Sequence, residues 1–404
     1  MSIRIGRVGR IELTKNMHYV ITFFAIMCSG CPLATFYYGR MVIGLFLISF
    51  IVLFLQKKVN YNFSKSLIIY ICLLVVSLCF ASIVNLDCDF THYFGKIISL
   101  LTVLFLTTEV TYSEFCKTYV KIISMICLCS LVFTCFFSFS RAFAEKLPEI
   151  QFENAGRWLH FNYLYYIWGG YLQIGAKFIR NSGFFREPGV FSTHICLSMM
   201  LILADKIKFS NIKSRKFLMA LFFVTGLTTF STVGVIGSTI CFIVYLKNES
   251  TKLSKSLYLI IALIVVFYFL IRNQAVLFAK FNSKKESFIS VTDRINGLTS
   301  ALKVLIQNPF FGRGYSYFQS KKVGVSTFFM FDLWAKYGFL YILVTCAGIL
   351  AFIDSLGESK MKKILYMGVY LLFLVSQGLV DLPIFLMFQL YGVKKYKEKL
   401  RNRY

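Results

Sequence analysis

Ten residues, Arg180-Asn-Ser-Gly-Phe-Phe-Arg-Glu-Pro-Gly189, place two guanidiniums, a carboxylate, two glycines and a proline directly before an apolar run. A guanidinium grips phosphate oxygens bidentately and stays charged at any working pH. Ionisable groups where a chain enters a bilayer point to function. Pro188 suits the first turn of the helix that follows, which sets Glu187 near its N-cap. Two roles are open to Glu187. It caps the positive end of the helix dipole, or it serves as a base or hydroxyl ligand beside Arg180 and Arg186. Gly183 lets the backbone approach closely.

A second group of candidates lies downstream. Asp293-Arg294 opens an amphipathic segment, Ile295–Ile306, that ends in Asn308-Pro-Phe-Phe-Gly-Arg-Gly-Tyr315. The proline and paired glycines stop a helix. Gly312 and Gly314 flanking Arg313 make either a turn or an anion nest of exposed amides plus a guanidinium, with Tyr315 beside it. A third stretch, Trp158–Tyr171, carries Trp158 and Trp168 among several tyrosines. It reads as an interfacial helix at headgroup level, or as rings that line a glycan groove.

The elements that position these groups are apolar helices. Of 404 residues, 57% are hydrophobic and only 15% charged, with a mean hydropathy of +0.69. Unbroken apolar runs without barrel alternation give an all-α, polytopic membrane protein. About twelve spans are expected. They lie near 17–38, 41–55, 66–84, 96–111, 118–139, 189–204, 217–230, 232–246, 256–271, 331–353, 364–377 and 379–393. The whole chain, 1–404, is one membrane domain with two long loops, 140–188 and 272–330.

The net charge of +26 would suggest nucleic acid in a soluble chain. Here Lys57/Lys58, Lys117/Lys121, Lys206–Lys216, Lys247–Lys255, Lys360–Lys363 and the basic tail all fall on one side of the span count, as an orientation signal should. That places both termini in the cytoplasm and both long loops outside. The first loop holds six Arg/Lys against four Glu, and 273–325 holds eight against two acids. Basic outside loops suit an anionic substrate at the membrane surface. The spans show no ionisable residue at mid-depth, which argues against a transporter.

Twelve cysteines lie mostly in apolar runs and read as packing residues. Cys28 and Cys31 have no second Cys/His pair for a metal site. His18, His92, His160 and His194 lack metal spacing and read as interface groups. The outside loops have no carboxylate cluster for a divalent cation, so no cofactor is expected.

The spans, the two outside loops, Arg180-x-x-Gly183-x-x-x-Glu187-Pro188, and Arg294 followed by Asn308-Pro-Phe-Phe-Gly-x-Gly314 together resemble the O-antigen polymerase (Wzy) family, within the group that includes the O-antigen ligases. The resemblance covers essentially the whole chain. It implies a metal-independent, inverting glycosyltransferase of the GT-C type in the bacterial inner membrane. Such an enzyme moves a growing O-antigen or capsule chain from undecaprenyl pyrophosphate onto the next lipid-linked repeat unit, with a chain-length regulator as a possible partner. It also implies that Arg180 and Arg294 hold the pyrophosphate, with Glu187 at the motif glutamate. Ligases of this group carry a histidine late in the second loop, and here no histidine follows His194. That favours polymerase over ligase.

Overall fold

The structure is a computed structural model that describes residues 7–32, 40–48, 64–139, 149–154, 157–162, 166–167, 180–207, 212–249, 286–320, 329–357, 359–376 and 378–401. The helices are α1 (Arg7–Cys28), α2 (Lys65–Val84), α3 (Phe90–Glu109), α4 (Tyr112–Phe139), α5 (Pro188–Leu203), α6 (Ile212–Thr228) and α7 (Thr232–Glu249). They continue with α8 (Glu286–Gln307), α9 (Tyr315–Ser320), α10 (Phe329–Leu356), α11 (Lys360–Ser376) and α12 (Pro383–Arg401). Residues 40–48 are also helical, and the expected span 256–271 lies outside the described residues.

Among the described residues, four segments are long and apolar enough to cross a membrane: Lys65–Val84, Phe90–Thr108, Tyr112–Cys135 and Met330–Leu356. The chain is thus a helical protein with several membrane-length helices, which is the coarse form of the sequence expectation. Met17–Cys28, Pro188–Leu203 and Val233–Asn248 are shorter apolar helices. Two expected boundaries move. The first helix starts at Arg7 and stops at Cys28, short of Pro32, and α3 begins at Phe90 rather than 96. Asp89 explains the second shift: its carboxylate accepts from the His92 amide at 3.0 Å and caps the helix.

The expectation of an interfacial helix over Trp158–Tyr171 is corrected. Residues Glu149–Asn154 (β1), Arg157–Asn162 (β2) and Tyr166–Ile167 (β3) form an antiparallel sheet in the order β1-β2-β3. Asn154 pairs with Arg157, which leaves only Ala155-Gly156 between the strands. A two-residue link ending in glycine favours a hairpin, and aromatic residues favour the pleated surface over a helix.

The helices pack as two groups. α2, α3, α10 and α12 form one, with α8 and α9 against α10. α4, α5, α6 and α7 form the other. α1 touches both α4 and α12, and α11 touches α10, α7 and α5. α5 is sheathed completely, and all of its residues are buried. Its 16 residues span only about 24 Å. That is short of the roughly 30 Å hydrocarbon core, so protein rather than lipid surrounds it.

Lipid offers apolar helices no hydrophobic incentive to associate, so small residues and interhelical hydrogen bonds must hold them. Gly392 of α12 lies against the Phe352 backbone of α10, with no room for a Cβ. Beside it the Tyr70 hydroxyl donates to Gln389 Oε1 at 2.7 Å, and Gln389 Nε2 donates to the Val380 carbonyl at 2.8 Å. In the other group the Tyr119 hydroxyl bonds His194 Nδ1 at 2.7 Å, and the imidazole stacks on Phe185 at 4.4 Å. His194 is therefore a buried core group, not an interface group. Its apolar neighbours on α5 hid that in the sequence.

A double-mutant cycle checks the α2–α12 contact. Tyr70→Phe and Gln389→Leu should show a coupling energy of about 0.6 kcal/mol and no more than about 1.7, the range for interhelical bonds in membranes. Thermal unfolding in one detergent measures it.

Candidate functional site

Contacts between distant segments sort into two ends of the bundle. One end gathers residues 29–30, 85–93, 180–187, 228–231, 308–318 and 332–339. The 381–384 stretch joins them there. The other gathers Asp205 with Arg215, and Asp354 with Lys363 and Lys399. All the described motif residues outside the helices and strands lie at the first end.

Arg180-to-Pro188 folds as a tight non-helical stretch. The Asn181 amide donates to the Thr228 carbonyl at 3.0 Å, and its side chain donates to Ser130 Oγ at 3.1 Å and Thr228 Oγ1 at 3.0 Å. Gly183 adopts φ +53°, and a Cβ there would meet the Phe191 ring at 2.9 Å. Its glycine is thus explained by backbone geometry. Arg180 donates from Nε to the Thr229 carbonyl at 3.1 Å.

Glu187 occupies the N-cap of α5 with extended backbone (φ −157°, ψ 156°), and Pro188 sits in the first turn. Its carboxylate makes no capping hydrogen bond. Instead Oε1 stands 3.8 Å from Nε of Arg186, and that Nε is buried with no hydrogen-bond partner. The Glu187 charge stands at the N-terminus of α5 without a capping hydrogen bond. The Arg186 amide is anchored by the Gly30 carbonyl at 2.9 Å.

The second motif is held by a break in α10. Gly338 has φ +85° and ψ 178°, which interrupts the helix. The freed carbonyls of Ala335 and Lys336 accept from the amides of Arg313 at 2.8 Å and Gly314 at 3.2 Å. The Phe339 amide donates to the Phe310 carbonyl at 2.8 Å, and Trp334 Nε1 donates to the Pro309 carbonyl at 2.6 Å. The anion nest expected at Gly312–Gly314 is therefore corrected. The Gly312 amide donates to the Asn308 carbonyl at 3.1 Å and the Arg313 and Gly314 amides go to α10, because a helix break inside an apolar bundle must have its polar backbone satisfied by protein. The Arg313 guanidinium stays exposed, 5.5 Å from the Tyr317 ring.

A third segment was not legible as part of the site. Asp87, in the α2–α3 connection, accepts from the Ser316 hydroxyl, the Ser316 amide at 3.0 Å, the Tyr93 hydroxyl at 2.9 Å and the Asp89 amide at 3.3 Å. Burial alone would raise the Asp87 pKa, but the Ser316, Tyr93 and Asp89 donors outweigh it and hold the carboxyl below the usual range. A Cβ on Gly314 (φ +77°) would meet Asp87 Oδ2 at 2.6 Å. The Tyr315 ring stacks on His92 at 3.4 Å, and His92 Nε2 bonds the Tyr337 hydroxyl at 2.6 Å.

Buried ion pairs complete this end. Lys96 of α3 pairs with Asp381 just before α12, and Lys336 pairs with Asp332 at 2.7 Å within α10. These pairs sit near the helix ends and not at mid-depth. Each lies within two turns of a helix start, and each partner is remote or four residues away, so hydropathy did not expose them. A bridge then joins the two motif regions. Ser29 Oγ of the α1 terminus accepts from the Ile384 amide at 2.9 Å, next to Gly30, which holds Arg186.

Three expected site residues remain less defined. Arg294 lies in α8, with its side chain outside the described residues. Trp158 pairs with Glu153 across β1 and β2. Trp168 lies outside the described residues. No family model, curated protein or solved structure matches this chain.

Gly314→Ala should lower the melting temperature and speed proteolysis within 308–320, while Gly368→Ala, in open space on α11, should not. Stability from the Asp87 carboxylate is present above its unfolded pKa of about 3.9 and is lost as pH falls below it. The melting temperature of the native chain should therefore fall more steeply than that of Asp87→Asn between about pH 5 and 3. Parallel curves would remove Asp87 from the clasp.

Proposed function

We propose that the chain is a membrane glycosyltransferase that polymerises polysaccharide repeat units on an undecaprenyl pyrophosphate carrier. The observation that carries this reading is the pair Arg186–Glu187. A carboxylate with no capping hydrogen bond stands beside an unsatisfied guanidinium nitrogen at the bundle end where the two motifs gather. An acceptor hydroxyl attacks the anomeric carbon of the donor chain from the face opposite the carrier. The bond from that carbon to the pyrophosphate oxygen breaks. Undecaprenyl pyrophosphate leaves with the electron pair, and the hydroxyl proton passes to a base, for which Glu187 is the candidate.

Arg180 and Arg294 would hold the departing pyrophosphate, and such charge stabilisation is worth several kcal/mol. Positioning a base adds about 10²–10⁴-fold. In the bacterial inner membrane the site would face away from the cytoplasm, with both termini on the cytoplasmic side. A second reading, carriage of the same lipid-linked glycan across the membrane, draws on the buried pairs Lys96–Asp381 and Asp332–Lys336, since ionisable groups inside helices also mark transport paths. Deleting the gene separates them. Loss of a polymerase leaves single repeat units on the surface lipid, and loss of a flippase leaves none. Loss of a ligase leaves polymer on the carrier.

Purified protein given defined lipid-linked repeat units should form a product ladder. Arg180→Ala and Arg294→Ala should abolish it at normal protein level, and lysine should restore little, because an ammonium lacks the bidentate fork. Glu187→Gln should fold normally and lose about 10²–10⁴-fold in turnover. A full ladder from Glu187→Gln would remove the base assignment.

A further inference from the structure

The sheet of the first long loop has two faces that differ in kind. Successive residues of a strand fall on opposite faces, and residues paired directly across share one. The register therefore sorts the strands. Ile150 pairs with Phe161, Phe152 with Leu159, and Phe161 with Tyr166, so these five share one face. Glu149 pairs with Asn162, Gln151 with His160 and Glu153 with Trp158, so a polar set shares the other. Trp158, near the hairpin tip, and Ile167, opposite His160, are the apolar members of that second face.

Charge divides along the same line. Both carboxylates of the sheet, Glu149 and Glu153, belong to the polar face. Its guanidinium, Arg157, pairs with Asn154 and belongs to the tip of the apolar face. We propose that the apolar face lies on the bilayer surface where α4 ends, at the boundary of acyl chains and anionic phospholipid headgroups. Arg157 then stands on the phosphate side, and the two carboxylates are turned away from it.

A sheet of three strands needs its apolar face packed to be stable. Among the described residues no helix runs along this one. The loop is tethered at the bilayer boundary on both sides. α4 is of membrane length through Cys135 and ends at Phe139, a short link before β1. After β3 the chain returns to the same helix end, where the Asn181 side chain donates to Ser130 Oγ of α4 at 3.1 Å. Open strand edges cannot enter the hydrocarbon, because their amides and carbonyls would have no partner there. The edges here are β1 and β3. At headgroup depth they reach polar partners while the apolar face meets the acyl chains. Water or an uncharged protein surface gives no reason to keep acids on one face and the guanidinium on the other. A phosphate-bearing surface does, because it repels the first and binds the second. Six residues per strand give a patch about 20 Å long, and three strands make it about 10 Å wide, so it lies along the membrane rather than across it. Contact with lipid would hold whether or not the chain polymerises glycans.

Spin-label accessibility tests this in the full chain, reconstituted in vesicles of phosphatidylethanolamine and phosphatidylglycerol. The nitroxide is carried on p-acetylphenylalanine, which leaves the 12 native cysteines untouched. It is placed singly at positions 150 to 153 and 159 to 162. Relaxation is read with oxygen, which concentrates in lipid, and with a water-soluble nickel chelate. Positions 150, 152, 159 and 161 should be open to oxygen and shielded from nickel. Positions 151, 153, 160 and 162 should show the reverse, giving a period of two. Nickel access at every position overturns the proposal, since the apolar face would then be in water. Low access to both reagents at 150, 152, 159 and 161 also overturns it, because protein, from the bundle or from a partner, would cover the face. A period near 3.6 overturns the sheet itself. Arg157→Glu should raise nickel access at 152 and 161 several-fold, while Gln151→Glu, on the other face, should leave the pattern unchanged. Where Arg157→Glu fails to fold, the native chain in phosphatidylcholine vesicles reads the same contact. Oxygen access at 152 and 161 should fall there, because the surface has lost its net negative charge. An alternation indifferent to both changes overturns the headgroup part of the assignment.

Discussion

A helix broken inside an apolar bundle must find partners for the carbonyls it frees, because lipid supplies none. Gly338 makes that break in α10, and the Asn308–Gly314 turn answers it with amides from Arg313 and Gly314. Much follows from this one exchange. The turn is fixed, so Tyr315 and Ser316 are presented to the α2–α3 connection. Asp87 can then collect four donors, and His92 can stack on Tyr315. The same exchange leaves the Arg313 side chain outside the structural bonding, where it remains exposed.

The two motif regions belong to different helix groups and are tied together through a third party. The end of α1 holds Arg186 through Gly30 and the start of α12 through Ser29. Asp381, three residues before that amide, is pinned by Lys96. Buried pairs of this kind contribute little net stability against an apolar pair, but losing one partner is costly. Their effect here is positional. They fix where non-helical backbone lies at one end of the bundle.

The helices were legible because their signal is local. Apolar runs and their flanks marked α2 and α5 nearly to the residue, and Pro188 marked the start of α5. The motif at 180–188 was legible as a concentration of charge and turn residues. His194 and the sheet at 149–167 were misjudged. An apolar neighbourhood says nothing of which ring or hydroxyl a histidine will meet, and the sheet depends on pairing across the Ala155-Gly156 link, which the ring content of the stretch does not show.

Sequence by itself determined the helical, membrane-type character of the chain, the position of its chemically rich segments and the clustering of its basic residues between apolar runs. All of these follow from composition and short-range order. Tertiary structure decided what those segments do. It spent the Arg313 and Gly314 amides on α10 and left the Glu187 carboxylate at the N-cap of α5 without a capping hydrogen bond, beside Arg186. It also brought Asp87, Lys96, His92 and Asp381 to the motif end from elements that carry no motif. Those outcomes depend on contacts between residues up to 285 positions apart. Charge and spacing along a chain carry no record of such distances, and only the closed bundle, with its backbone polar groups all seeking partners, fixes them.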